Sequence, residues 1–266
     1  MTNLSPLLII RDLHVVFSSA QGPLKVVHGL NLELNRGEIL GIVGQSGSGK
    51  SVTAQAVVQL LGNTGQITQG EIWFDGECIS SKSQSQMLSI RGKKIGMVFQ
   101  DPMTALNPTL SIGWQLSETL VYHERLSHRQ ARHRAMEILD SVGIAEPEMR
   151  YDAYPFQLSG GMRQRIMIAI AIACKPKLII ADEPTTALDV TIQAQILELL
   201  QKSCREADMS LLLITHDLGI VASICDRAAV MHNGTIIETN LVESLFASPI
   251  QPYTRSLLAA QRNDYE

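Results

Sequence analysis

The sequence has no excess of positive charge. Lys and Arg number 22 against 26 Asp and Glu, for a net charge of −4 and a pI of about 6.0. A general nucleic-acid binder normally carries a basic surplus, so that class is not favoured. Cysteine is sparse: Cys78, Cys174, Cys204 and Cys225 stand alone, with no C-x-x-C pair and no His-x-x-x-His nearby. That spacing argues against a structural zinc site or an iron–sulfur cluster, and scattered cysteines fit a reducing compartment. Long apolar runs are missing too. The most apolar helical stretch, Ile166 to Cys174, is far short of the ~20 residues that span a bilayer. Met1 to Ile10 has no basic start and no small-residue cleavage site, so no signal peptide is expected.

What is present is an ordinary globular composition. Hydrophobic residues make up 45% of the 266 and charged residues 18%, enough for a sizeable core. The length suits one large domain, or a domain with an inserted subdomain. Leu7–Phe17 and Leu24–Leu34 read as strands around a turn at Ser18–Pro23. Ile39–Val43 is a short continuous apolar run, as in a buried parallel strand, and a helix is expected from Gly49 to about Leu61. Glu71–Phe74 and Ile95–Phe99 read as further strands. Asp101–Gln157 then changes character: Leu110–Tyr122 and His128–Val142 have helical periodicity, and no strand is evident. Arg125, His128, Arg129, Arg132, His133 and Arg134 cluster there. They read as a solvated helix face, because aromatic interleaving for nucleic acid is lacking. Strands at Leu178–Ala181, Leu211–Thr215 and Ala228–Met231 alternate with helices at about Val190–Arg205 and Leu218–Ile224. Such alternation points to an α/β fold with a parallel sheet.

Gly44-Gln45-Ser46-Gly47-Ser48-Gly49-Lys50-Ser51 matches G-x-x-x-x-G-K-[ST] between a strand and a helix. Its glycines let backbone amides turn toward a phosphate chain, and the helix N-terminus adds partial positive charge. Lys50 is expected on the β- and γ-phosphates of ATP, and the Ser51 hydroxyl on Mg²⁺. Val52 completes the expected cofactor-binding stretch. Leu178–Ala181 ends in Asp182 and Glu183, at what a parallel sheet makes its ligand edge. Asp182 is the expected second Mg²⁺ ligand and Glu183 the general base for the attacking water. His216, after Leu211–Thr215, is placed to touch the γ-phosphate.

Leu158-Ser159-Gly160-Gly161-Met162-Arg163-Gln164 resembles the L-S-G-G-x-x-Q signature of ABC-type ATPases. Gln100 resembles that family's Q-loop glutamine, Ala187-Leu188-Asp189 its D-loop and His216 its switch histidine. Phe17 falls where the family stacks an aromatic on adenine. The resemblance runs from about Leu7 to Leu258. It implies a P-loop NTPase: a RecA-like parallel-sheet core with an N-terminal antiparallel β subdomain and an inserted α-helical subdomain. The implied division of this single domain is 1–100 with 165–266 as nucleotide-binding core and 101–164 as signature subdomain. It also implies catalytic roles for Lys50, Gln100, Glu183 and His216, and a Gln100 contact to Mg²⁺. The same resemblance implies a head-to-tail dimer with a paralogous or identical ATPase. There, Ser159, Gly160, Gly161, Gln164 and Asp189 face the nucleotide of the other subunit. Ser159, Gly160 and Gly161 open a helix, which is itself an anion site.

Within the family, no coiled coil separates Ser51 from Leu158, the chain has one cassette, and it has no membrane helices. A stand-alone importer ATPase at the cytoplasmic face of the inner membrane is the expected class. The alternative is a soluble ATPase acting on DNA or ribosomes. Gln100–Pro108, Tyr154–Gln157 and Pro252–Leu258 resemble segments of peptide and nickel importer ATPases. The sequence ends at Glu266 without the cysteine-bearing extension of many oligopeptide-type members, which leaves peptide and nickel or metal-chelate cargo both open. The implied partners are two membrane permease subunits, which receive docking at Asp101–Pro108, and indirectly an extracytoplasmic solute-binding protein; no nucleic acid is expected.

Overall fold

Apolar alternation at the N-terminus produces β1 (Pro6–Ser19) and β2 (Gly22–Asn35), joined at the tight turn Ala20-Gln21. The strands run further into the expected Ser18–Pro23 turn than the sequence suggests, because Ser18 still pairs with Pro23 and Ser19 with Gly22. The computed structural model describes residues 6–186 and 188–263. Next in the chain come β3 (Ile39–Val43), α1 (Lys50–Val57), β4 (Gly65–Phe74), β5 (Glu77–Cys78) and α2 (Gln84–Met87). They are followed by β6 (Ile95–Val98), α3 (Pro102–Ala105), α4 (Ile112–Glu124), α5 (His128–Ser141), α6 (Pro147–Tyr151) and a 3₁₀ turn, Pro155–Gln157. Then come α7 (Gly160–Ile172), β7 (Leu178–Asp182) and α8 (Val190–Glu206). The last elements are β8 (Ser210–Thr215), α9 (Leu218–Ile224), β9 (Arg227–His232), β10 (Thr235–Leu241), α10 (Val242–Ala247) and α11 (Pro252–Asn263).

Two compact units result, one holding the described residues up to Met87 together with those from Ser210 onward, the other Leu88–Met209. These compact units meet at 87/88 and 209/210. The physical reason lies in Leu88–Met209 itself: β6 and β7 pair in parallel, and α7 packs against β6.

In the first unit, β2, β1, β4 and β5 form an antiparallel sheet, the expected β subdomain. Leu8 pairs with Phe74 and Ile10 with Ile72, all buried. A second set of strands places β3 between β8 and β9, parallel to both, with β10 antiparallel to β9. Every residue of β3 and β8 is buried, which accounts for their unbroken apolar runs. Helix α1 stops at Val57, short of the expected Leu61. Gln59 turns left-handed at φ 53°, and the Leu60 amide donates back to the Gln55 carbonyl at 2.8 Å, a Schellman-type end.

In the second unit, α4 starts at its Ser111 cap, and α5 at a capping box formed by Ser127 and Gln130. Ile112, Leu116 and Leu120 of α4 share a core with Ala131, Ala135, Ile138 and Leu139 of α5 and with Ile166, Ala169 and Ala173. The basic residues of α5 occupy its other side: Arg134 pairs with Glu137, and Arg132 lies 4.2 Å over the Tyr151 ring. Helix α7 is apolar on nearly all sides and correspondingly buried.

Candidate nucleotide site

Parallel register brings the expected site residues to strand ends. In the first unit Val43 of β3 pairs with Thr215 of β8, so Gly44 and His216 leave adjacent strands at their carboxyl ends. In the second unit Val98 of β6 pairs with Ala181 of β7, so Gln100 and Asp182-Glu183 do the same. Carboxyl ends of parallel strands are where such sheets bind ligands.

The phosphate loop follows β3 and enters α1 at Lys50. Gly44 is required by space: a Cβ there would lie 2.2 Å from the Met231 carbonyl oxygen of β9. Gly49 is required by backbone, at φ +104°. Gln45, Ser46 and Gly47 are exposed, whereas Ser48, Gly49 and Lys50 are buried and Ser51 and Val52 half-buried. Lys50 Nζ donates to the Gly44 carbonyl at 2.7 Å and to the Gln45 carbonyl at 2.9 Å, folding back over the loop. The Gly234 amide, in the β9–β10 turn, donates to the Ser48 carbonyl at 2.9 Å. The Ser48 hydroxyl is buried and has no hydrogen-bond partner among the described residues. An orphaned buried hydroxyl within a loop of this shape fits a phosphate oxygen.

Phe17 is half-buried near the end of β1, where it pairs with Leu24 and Gly65. His216 is exposed, and the next residue, Asp217, caps α9 through the Gly219 and Ile220 amides.

In the second unit Asp182 is 5% exposed at the end of β7. Glu183 takes a left-handed backbone at φ 44°, unusual for a non-glycine residue and a mark of functional strain. Gln100 Nε2 donates to Glu183 Oε2 at 3.0 Å, and the Thr186 hydroxyl donates to the same oxygen at 3.0 Å. Thr186 was not among the expected site residues. Its signal is modest: a hydroxyl three residues after the acid.

Ser159 caps α7, accepting from the Met162 amide at 3.3 Å, and Ser159 and Gly160 are exposed. A Cβ on Gly161 would lie 2.9 Å from Ile192 of α8, so the signature packs closely on that helix. Asp189 caps α8 through the Ile192 amide at 3.0 Å. Ala187, expected in the D-loop, lies outside the described residues. Gln164 is 2% exposed and its side-chain nitrogen has no hydrogen-bond partner among the described residues.

A glycine-rich loop that runs from a buried parallel strand into a helix, with its lysine folded over it, marks the P-loop nucleotide-binding class. The chain belongs to the ABC transporter family, whose model matches residues 27–186. It is 51% identical over 261 residues to the oligopeptide transport ATP-binding protein OppD of Bacillus subtilis, covering 98% of this chain and 73% of the relative. The dipeptide transport ATP-binding protein DppD of the same organism is 49% identical, with 95% and 76% covered. Among solved structures, the dimeric ATP-binding cassette MJ0796 bound to ADP and phosphate superposes with a TM-score of 0.79 at 29% identity, covering 88% of this chain and 98% of that one. CbiO1 of Clostridium perfringens, part of an ABC transporter complex, gives 0.77 at 30% identity, with 91% of each covered. The expected fold class, ATP binding and ATPase class therefore stand, and transport rather than DNA or ribosome remodelling is the role carried by these relatives.

Proposed function

We propose that this protein is the ATP-hydrolysing subunit of an importer that takes up peptides across the cytoplasmic membrane, working at the inner face. The similarity to oligopeptide and dipeptide transport ATP-binding proteins over nearly the whole chain carries the reading. Within it, the chain is one ABC ATPase domain: 1–100 and 165–266 handle nucleotide, and 101–164 presents the signature. Lys50 and the loop amides hold the phosphates, Phe17 stacks on adenine, Glu183 accepts a proton from the attacking water, and His216 contacts the γ-phosphate. The Ser48 hydroxyl and the Gln164 side-chain nitrogen, both buried and without a partner among the described residues, support phosphate and nucleotide contacts at those positions.

Mg²⁺ would neutralise charge on the phosphates. Ser51, Asp182 and Gln100 are its proposed ligands, a hydroxyl, a carboxylate and an amide oxygen. That donor set fits Mg²⁺, which binds few protein oxygens and keeps phosphate and water for the rest. Among the described residues no cluster of three acidic, His or Cys side chains forms a cage, nor does Mg²⁺ need one.

Ser159, Gly160, Gly161, Gln164 and Asp189 act across a head-to-tail dimer with a second ATPase, paralogous or identical. Two membrane permease subunits complete the machine, served indirectly by an extracytoplasmic solute-binding protein. No helix among the described residues is long and apolar enough to cross a membrane, so spanning falls to those subunits. Their docking surface is Asp101–Pro108. Helix α3 there buries none of its residues, and Met103 is 52% exposed.

Purification from membranes tests this. The protein is expected to bring down two membrane subunits, with crosslinks at 101–108. Crosslinks confined to 225–266, or recovery with ribosomes or DNA instead, would contradict it.

A further inference from the structure

The segment Pro252–Leu258 packs beside the strand that leads into the phosphate loop. It forms the first turns of α11, and its Tyr253 reaches the phosphate loop: the Gln45 amide donates to the Tyr253 hydroxyl at 3.3 Å. The Tyr253 ring stacks on His232 of β9 with centroids 3.9 Å apart. Tyr253, Leu257 and Leu258 pack on a buried cluster that includes Val43, the residue before the loop. At the start of α11, the Ile250 and Gln251 amides donate to the two carboxylate oxygens of Glu238 at 2.8 and 3.0 Å.

The backbone at Gln45 is held from two sides. Its N–H and the Gly44 carbonyl belong to one peptide unit, which is planar and stiff. The N–H end is held by Tyr253, and the carbonyl end accepts from Lys50 Nζ at 2.7 Å. One rigid plate therefore joins the C-terminal helix to the loop's lysine.

We propose that Tyr253 is a positioning residue for the phosphate loop: through the Gly44–Gln45 peptide it orders the loop and the carbonyl on which Lys50 rests, and so raises affinity for ATP. The inference rests on the ATP-binding reading above. Without the hydroxyl the plate can rock, and nucleotide must then bear the cost of ordering the loop. Tyr253 serves binding rather than chemistry, so the effect falls on Kd and KM and not on kcat.

Tyr253→Phe tests this, since it keeps the ring, the stack and the packing. Calorimetric titration of the full chain with ATP should show Kd raised about three- to ten-fold, the worth of one hydrogen bond, with kcat within about two-fold. In a Gln45→Pro background, which lacks the amide proton, the same change should add nothing. Leu257→Ala, which trims packing in the same cluster but keeps the Tyr253 hydroxyl, should lower Tm and raise Kd by less than Tyr253→Phe does. An unchanged Kd in Tyr253→Phe, a full additional loss on Gln45→Pro, or an equal loss from Leu257→Ala would overturn the proposal. Absence of ATP binding by the wild type would instead overturn the ATP reading, and this inference with it.

Discussion

Gln100 and Glu183 are joined by a 3.0 Å hydrogen bond between the ends of the paired strands β6 and β7. Thr186 donates to the same carboxylate oxygen, so two neutral donors fix the orientation of the proposed base. Orientation is part of general-base catalysis, because the proton must be met at hydrogen-bond distance. Thr186→Val should therefore lower kcat about three- to ten-fold while Kd for ATP stays within about two-fold. Steady-state hydrolysis beside equilibrium binding separates the two. An unaltered kcat would mean the Thr186 contact does not matter for turnover.

Lys50 rests on two loop carbonyls and is 4% exposed. Lys50→Ala should weaken ATP binding by roughly 10–100-fold, as expected for loss of a charge-assisted contact. Gly44→Ala should act differently. Its methyl would meet the Met231 carbonyl oxygen, so the loop must shift, with a stability loss of about 1–3 kcal/mol beside loss of binding. Denaturant titration of both variants distinguishes them, since Lys50→Ala should keep a near wild-type midpoint.

The strongest motifs were fully legible in the sequence, because phosphate chemistry and backbone geometry demand particular residues at fixed spacing. The buried strands β3, β7 and β8 were legible as well, since burial on both faces leaves an apolar run. Strand β10 carries little sequence signal of its own: Thr235–Leu241 buries only Glu238 fully and shows no clean alternation. Its signal was nevertheless present as Asn233-Gly234, both with positive φ, a two-residue hairpin turn between His232 and Thr235. The contacts of Thr186 and Tyr253 were not legible, because each depends on how a chain reversal or a distant helix packs. The unit boundaries at 87/88 and 209/210 likewise follow tertiary contacts that no local pattern carries.

Burial pushes the Cys204 and Cys225 thiols up to about 12 and Cys174 to about 11. At pH 8 a thiol of pKa about 12 is thiolate to only about one part in 10⁴. Iodoacetamide at pH 8 should leave Cys204 and Cys225 unmodified in the folded protein and label them once it unfolds. Rapid labelling of either by mass spectrometry, without loss of fold, would contradict the raised thiol pKa values.

Glu238 gives a pH dependence of stability. Burial pushes its carboxyl up, but the Ile250 and Gln251 amides and the nearby Arg255 outweigh that and hold it below the usual carboxylate range. A depressed pKa contributes stability that is complete above the unfolded value, near 4.5, and is lost as pH falls through the folded one. Glu238→Gln should thus lower Tm at pH 7, and its deficit against wild type should shrink below about pH 4.5. A deficit that stays constant with acidification would assign the loss to packing alone.

Glu183 is the proposed general base for ATP hydrolysis, the role on which turnover by this cassette depends. Its most direct test is the rate of ATP hydrolysis by Glu183→Gln, with ATP binding measured on the same sample. The variant should bind ATP with near wild-type affinity and hydrolyse it ~10²–10⁴-fold more slowly. Wild-type turnover by Glu183→Gln would contradict the account.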